Sequence, residues 1–216
     1  VSEPASASLL RYIDDQTSPD DVLANAVEHA QEFGIAYPDA STGQLLATLA
    51  ALTYPLGSSG VVVAANAAAV IGTYVARAVA EDTRISCIEP DIEHQQAAQK
   101  ALLSLGRPSS TVRLMTAQPV QVMGRLAKSS YSMVIGDVAG KDLPRFIELA
   151  RNILAPGGVL VLLDCLLDGT ITDPTRTDRD TVGAREAQEM LAAMDDMFLA
   201  RLPFGSGMVV ATLAHE

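Results

Sequence analysis

Phe198-Leu199-Ala200-Arg201-Leu202 and Met208-Val209-Val210-Ala211-Thr212-Leu213 are two apolar runs of strand length, separated only by Pro203-Phe204-Gly205-Ser206-Gly207. That linker suits a hairpin and is too short for a crossover, so one strand must run antiparallel to the sheet both join. Upstream the rhythm is different. Val61-Val62-Val63-Ala64 reads as a buried strand, with a helix from about Ala67 to Ala80. Arg84-Ile85-Ser86-Cys87-Ile88-Glu89 reads as a second strand, followed by a helix from Asp91 to Leu105 that Gly106 stops. Val112 to Met115, Met133 to Gly136 and Val159 to Leu163 are further strands. Helices are expected over Pro119 to Ala127 and Leu143 to Leu154, the latter ended by Pro156-Gly157-Gly158.

This alternation predicts an α/β fold: a Rossmann-like doubly wound sheet of seven strands, mostly parallel, with an antiparallel C-terminal hairpin strand. A polar loop from Asp168 to Asp180 and a helix from Val182 to Met197 lead into the hairpin. Ahead of the sheet, Asp20-Asp21 opens a helical pattern that runs through Leu23, Ala26 and Ala30 to Phe33, with Gly34 as its stop. Ser41-Thr42-Gly43 reads as the cap of a second helix whose Leu45, Leu46, Leu49 and Leu52 share one face. With a short helix around Leu9 to Ile13, these form an N-terminal helical cap over residues 1–56. The α/β core occupies 57–216 of a single domain and is entered through Gly57-Ser58-Ser59-Gly60.

The composition is globular: 216 residues, 49% hydrophobic and 19% charged. A formal net charge of −11 disfavours nucleic acid and anionic membrane as partners, because both present phosphates. The longest apolar stretch, Val61 to Val79, is interrupted by Asn66 and Arg77 and does not span a bilayer. No secretory signal follows Val1-Ser2-Glu3-Pro4, so a cytoplasmic protein is expected. Cys87 and Cys165 lie in apolar runs and read as buried reduced thiols, too few for a disulfide framework or a zinc site. His29, His94 and His215 read as scattered surface residues, and no Ser or Cys sits in a nucleophile elbow. Met115, Met123 and Met133 read as core filler.

In an open α/β sheet, ligands bind beyond the carboxyl ends of the strands, near the switch in strand order. Those ends are Ala65-Asn66-Ala67, Glu89-Pro90, Ala117-Gln118, Asp137 and Asp164. Glu89 is placed to accept hydrogen bonds from both ribose hydroxyls of an adenosine cofactor; alternatively it is simply an acid at a helix N-terminus, like Asp91. The first turn, Ala65-Asn66-Ala67-Ala68-Ala69-Val70-Ile71-Gly72, lacks the glycines usual at such a site, and Asn66 is its residue most tolerant of positive φ. Asp137 and Asp164, on neighbouring strand ends, would bring two carboxylates to one Mg²⁺ or stand as solvated acids. Lys141, followed by Asp142, would deprotonate a substrate hydroxyl or pair with an acid.

Several stretches together carry a resemblance: Gly43-Gln44-Leu45-Leu46, Cys87-Ile88-Glu89-Pro90 and Tyr131-Ser132-Met133-Val134-Ile135-Gly136-Asp137. Leu154-Ala155-Pro156-Gly157-Gly158, Asp168-Gly169-Thr170-Ile171-Thr172-Asp173-Pro174 and Leu202-Pro203-Phe204-Gly205-Ser206-Gly207 complete it. In order and spacing, from Pro38 to Ala214, the chain resembles the catechol and caffeoyl-CoA group of class I S-adenosylmethionine-dependent O-methyltransferases, bacterial members included. The resemblance implies methyl transfer from adenosylmethionine to a hydroxyl of a small molecule. Mg²⁺ often assists by lowering the hydroxyl pKa and holding the oxygen in line. On that pattern Ala65, Asn66, Ala67, Ile71, Glu89, Ala117, Gln118 and Asp137 would meet the cofactor. Asp137 and Asp164 would hold the metal, and Asp137 and Lys141 would serve catalysis. Many relatives are homodimers, for which the apolar N-terminal helices would serve.

Departures from the family pattern are specific. Val63 and the alanines stand where the family has an acid and a glycine-rich turn, and Ile71 replaces a serine that holds the cofactor carboxylate. An Asp-Asn metal pair aligns with Leu163-Asp164, the catalytic lysine with Gly140, an adenine-side glycine with Ala117, and the acid of the Pro-Leu-Gly-Asp-Gly turn with Ser206. Two readings follow. One is an O-methyltransferase with a modified site; the other is a catalytically impaired descendant kept as a ligand-binding or dimeric interaction module. The terminal hairpin and the missing glycines disfavour a nicotinamide-dependent oxidoreductase.

Overall fold

Every residue of β1 (Val61–Ala64) and β2 (Ile85–Ile88) is buried, as strands with helices above and below them require. The computed structural model describes residues 5–17, 19–53 and 60–215. Five further strands follow: β3 (Val112–Met115), β4 (Tyr131–Gly136), β5 (Leu154–Leu162), β6 (Met197–Leu202) and β7 (Met208–Leu213). They form one sheet of order β3-β2-β1-β4-β5-β7-β6. Pairing is parallel from β3 through to β5, whereas β7 is antiparallel to both β5 and β6. The expected hairpin is therefore present, and β7 is the reversed strand.

The sheet divides the core by strand alternation. Val61 and Val63 pack with Ala26 of α2 (Asp21–Glu32), Leu46 of α3 (Ala40–Thr53), Val75 of α4 (Ala68–Ala78) and Leu102 of α5 (Ile92–Ser104). Val62 and Ala64 face the other way, toward Phe146 and Ile147 of α7 (Leu143–Ile153) and Leu191 of α8 (Arg179–Ala192). A first helix, α1 (Ala5–Asp15), precedes these, and a short α6 (Pro119–Val122) lies between β3 and β4. Asp20 caps α2 by accepting from the Leu23 N–H at 3.0 Å and also pairs with Arg77 of α4. This ties the helical cap to the core.

Several boundaries differ from expectation. The cap of α3 is Asp39, whose Oδ1 accepts from the Thr42 N–H at 2.8 Å, rather than the Ser41-Thr42-Gly43 segment. The helix expected over 119–127 stops at Val122 and tightens into a 3-10 turn at Met123–Arg125, where Met123 is fully buried and Gly124 has poor helix propensity. Strand β5 begins at Leu154, ahead of Pro156-Gly157-Gly158, because Tyr131 pairs with Leu154 across a register shift that absorbs the glycines. Asp178 starts α8 ahead of Val182 by accepting from the Thr181 N–H at 2.9 Å. That helix ends at Ala192, and Met197 opens a strand instead.

Cys87 and Cys165 are buried free thiols, each pushed up to about 12 by burial. Met123 and Met133 are core residues and Met115 packs at the core's edge. His215 is exposed. The other two histidines are not scattered: His29 Nε2 lies 3.3 Å from His94 Nδ1 where α2 crosses α5, with the Phe33 ring against both. One residue that sequence reading passed over holds the fold near β2. Arg107 is 5% exposed, and its guanidinium donates to the carbonyls of Ala76, Ala80, Glu81 and Thr83 at 2.6–3.2 Å. The expected junction at Gly57-Ser58-Ser59 and the opening Val1 to Pro4 lie outside the described residues. No helix among the described residues is long and apolar enough to cross a membrane.

Candidate active site

Register decides which side chains meet at the carboxyl edge. Ala64 pairs with Ile88 on one side and Gly136 on the other, and Gly136 pairs with Leu162. The next residue of each strand therefore shares one row: Ala65, Glu89, Asp137 and Leu163. Backbone bonds continue the ladder into this row. Glu89 N–H donates to Met115 O at 3.1 Å, Asp137 N–H to Ala64 O at 2.9 Å and Leu163 N–H to Gly136 O at 2.9 Å. The chain leaves β1 toward β2 and later returns on the β4 side, so this is the switch point of the sheet.

A crevice of about 230 Å³ opens there. Ala65 and Asn66 line it after β1, Ile88 and Pro90 after β2, and Gln118, Pro119 and Val120 at the start of α6; Asp137, Val138, Ala139 and Asp142 close it after β4. Among the described residues no basic side chain lines this crevice, so its field suits a neutral or cationic ligand.

Glu89 is 1% exposed. Its Oε1 accepts from the Asp91 N–H at 2.7 Å, while Oε2 is buried without a partner. Burial pushes the Glu89 carboxyl above its ordinary range, partly offset by the Asp91 N–H and by His94. The helix-acid reading of Glu89 is only partly met, since Asp91 is the residue that caps α5, accepting from the Glu93 N–H at 2.8 Å. What remains is a buried acceptor with no donor among the described residues, which a ligand hydroxyl would satisfy. Asp137 is half-buried and pushed up to about 6, first by burial and then by the charges of Asp164 and Glu89.

The structure thus gathers Ala65, Asn66, Gln118 and Asp137 on one crevice wall, with Glu89 between two lining neighbours. It also separates others from that wall. Ala67 and Ile71 are 3% and 0% exposed within the core, and Val63 is likewise enclosed, so neither Val63 nor Ile71 plugs the opening. Ala117 is half-buried and donates its N–H to Met115 O at 3.1 Å. Lys141 is exposed, off the crevice wall, with its backbone N–H donating to Asp180 Oδ1 at 3.0 Å. Asn66 does not supply a left-handed residue: the non-glycine positions with positive φ are Ser129, Asp164, Leu167 and Asp168, and Ala67 has φ −84°. The alanines of the first turn are therefore unstrained. Asp142, read from the sequence only as the neighbour of Lys141, belongs to the site as well. Here its side chain makes no capping bond and lines the crevice instead.

Asp164 stands one residue beyond the row, in the left-handed region at φ 50°, and its Oδ1 accepts from the Ser206 N–H at 2.6 Å. Leu163 occupies the row position and is buried in the core. Among the described residues no three His, Cys, Asp or Glu side chains converge as metal ligands. With a third donor missing and one Asp164 oxygen already bonded, this donor set does not fit a divalent-cation centre.

A sequence model of the O-methyltransferase family matches residues 64–213. A Mycobacteroides abscessus protein, itself provisionally assigned as an O-methyltransferase, is 30% identical over 205 residues, covering 95% of this chain and 94% of its own. The crystal structure of a Corynebacterium glutamicum protein superposes with a TM-score of 0.94 at 43% identity, over 99% of both chains. The fold is also that of the O-methyltransferase TomG of Streptomyces achromogenes, solved in complex with SAM, at a TM-score of 0.86 and 24% identity over 96% of each chain. The family match spans more than half of the sequence and includes every strand end of the crevice, so the chain belongs to the O-methyltransferase family.

Proposed function

We propose that the protein is an S-adenosylmethionine-dependent O-methyltransferase that methylates a hydroxyl of a small molecule. The observation that carries this reading is Glu89, a buried carboxylate with an unpartnered oxygen at the switch point of a methyltransferase sheet. An acceptor in that position fits the vicinal hydroxyls of a ribose, and the absence of basic residues on the crevice wall fits a ligand bearing a sulfonium and an ammonium. When bound, the cofactor supplies an electrophilic methyl group.

The chain's own residues hold and exclude. Glu89 takes the ribose hydroxyls, Gln118 and Ala117 flank the base, and Ala65 and Asn66 form the turn against the amino-acid end. Ala67 and Ile71 back that turn from the core. Asp137 offsets the ligand's positive charge and would receive the acceptor's proton, with Lys141 at the exposed side of the same loop. A half-buried acid near neutrality suits such a proton transfer. We further propose a cytoplasmic enzyme whose exposed Leu9, Tyr12 and Leu52 are covered in a homodimer, which light scattering would test. Titration calorimetry with adenosylmethionine and adenosylhomocysteine tests the main reading. Saturable heat is expected, and no heat at millimolar ligand would overturn it.

A further inference from the structure

The strongest unexplained feature outside the crevice is the junction between the end of β5 and the β6–β7 turn. Three non-glycine residues in left-handed conformations, Asp164, Leu167 and Asp168, occur within this one short loop, next to Gly169. Four hydrogen bonds join it to the turn. Asp164 Oδ1 accepts from Ser206 N–H at 2.6 Å, and Asp168 Oδ2 accepts from the Ser206 hydroxyl at 3.1 Å. Asp168 N–H donates to Ser206 O at 2.9 Å and Leu166 N–H to Gly207 O at 3.3 Å. Gly205, at φ 54°, lets the turn approach: a Cβ there would collide with the Asp164 carboxylate. Gly207 lies equally close to Leu166. Left-handed backbone at non-glycine residues persists only where surrounding bonds over-determine it, and these bonds do so.

We infer that Asp164 is a positioning residue, a latch that fixes the 203–207 turn against the 164–169 loop, and that the protein organises this side of its site without a divalent cation. Three substitutions agree with each other here. Leu163 fills the row position next to Asp137 with an apolar side chain buried in the core, so no donor stands there. Asp164 spends its carboxylate on a backbone N–H. Ser206 stands between two carboxylates, its backbone N–H donating to Asp164 and its hydroxyl to Asp168, where an acidic side chain would be repelled. Each change alone would leave a damaged metal centre; together they make a closed hydrogen-bonded unit. The latch stands independently of the methyltransferase reading.

Hydrogen exchange at the Ser206 amide tests the latch without any activity. In the wild-type protein this amide is expected to exchange roughly 10- to 100-fold more slowly than the neighbouring exposed Gly205 amide, as a charge-assisted bond provides. Asp164→Asn retains an acceptor oxygen and should keep the protection, whereas Asp164→Ala should lose it. An unprotected Ser206 amide in the wild type, or equal exchange in Asp164→Asn and Asp164→Ala, overturns the latch. Titration of Mg²⁺ and Mn²⁺ alone into the wild-type protein should give no saturable binding at millimolar concentration. Saturable binding that Asp137→Asn or Asp164→Asn abolishes overturns the metal-free assignment, even if adenosylmethionine binds as proposed.

Discussion

Glu89→Gln should stabilise the unliganded protein and cripple its response to adenosylmethionine, two effects of opposite sign from one atom. Among the described residues Glu89 Oε2 is buried without a donor, while Oε1 serves the Asp91 N–H. Glutamine keeps the second bond through its oxygen and places a neutral amide where the unpaired charge was. A buried unsatisfied group costs about 1–3 kcal/mol and a charged one more, so a gain of about 1 kcal/mol is a conservative expectation. For a chain of this length that is roughly 2–4 °C in Tm. The sign has a pH signature. Burial raises the Glu89 carboxyl in the folded state, so its contribution to stability is present at low pH and lost as pH rises through the folded value. The advantage of the variant should therefore be largest near neutrality and vanish in acid.

The ligand side of the same experiment runs the other way. Two ribose hydroxyls donating to a carboxylate represent charge-assisted bonds of about 1.5–3 kcal/mol each. Losing about 3 kcal/mol raises Kd roughly 100-fold. At a ligand concentration of about 100 times the wild-type Kd, binding stabilises the wild type by about 2.7 kcal/mol and the variant by only about 0.4 kcal/mol. Differential scanning fluorimetry with and without adenosylhomocysteine reads both terms in one plate, and calorimetry supplies the two Kd values. A variant that melts below the wild type and binds with unchanged affinity would refute the reasoning. It would mean that Glu89 is a structural acid whose second oxygen has a partner in solution.

Three other perturbations reach different parts of the same architecture. Asp137 is raised from 3.8 to about 6 in the folded protein, so wild-type stability should decline as pH rises across that window; Asp137→Asn should flatten the decline, by up to about 3 kcal/mol before solvent screening reduces it. Denaturant unfolding at both ends of the window checks this, and parallel curves for the two proteins would contradict it. At Gly140, a Cβ would strike the Asp180 backbone of α8, so Gly140→Ala should cost about 1–3 kcal/mol and weaken adenosylmethionine binding by shifting Ala139 and Asp142. Gly124→Ala, whose Cβ would meet only Leu149 at an ordinary 3.5 Å, is the control and should do neither. Arg107→Ala leaves four carbonyls without their donor and should lower Tm by roughly 6–12 °C, about 3 kcal/mol. Arg107→Lys should recover only part of this, because one ammonium does not span all four oxygens, and a circular-dichroism melt separates the three proteins.

What the sequence disclosed and what it hid follow from the range of each signal. Val61–Ala64 and Val112–Met115 fall where short strand-length runs put them, the first fully buried and the second half-buried at the sheet edge, because that signal is local. The hairpin follows from the length of one linker. Glu89 and Asp137 were legible because strand ends can be counted, and register then brings them to one row. The contact of His29 with His94 depends on how α2 crosses α5, and nothing local to either helix encodes it. Arg107 reads as one more surface cation until four carbonyls from a distant turn surround it. Lys141 could be read from sequence either as a base or as the partner of an acid; the tight 3-10 turn at Gly140–Asp142 leaves it exposed and places Asp142 on the crevice wall. Leu163 and Asp164 show the same limit: one residue of offset decides whether a carboxylate joins the row or leaves it.

The glycine-poor first turn and the open crevice are compatible once the two jobs of glycine are separated. In nucleotide-binding turns glycine permits positive φ and permits close approach of backbone to ligand. Positive φ is not required here, since none of Ala65, Asn66 or Ala67 is left-handed. Only the second job is affected, and its effect is a wall thicker by a few methyl groups, in keeping with a crevice of about 230 Å³ where drug-sized ligands usually occupy about 300–1,000 Å³. Backbone strain has instead been placed at the other end of the edge, in Asp164, Leu167 and Asp168, at about 1–3 kcal/mol per residue. The hydrogen bonds to the 203–207 turn hold these residues in place, so relaxing one of them would break the bonds that offset its strain. The alanine turn is thus compatible with an open crevice, and the left-handed residues sit in a separate hydrogen-bonded loop beyond the carboxylate row.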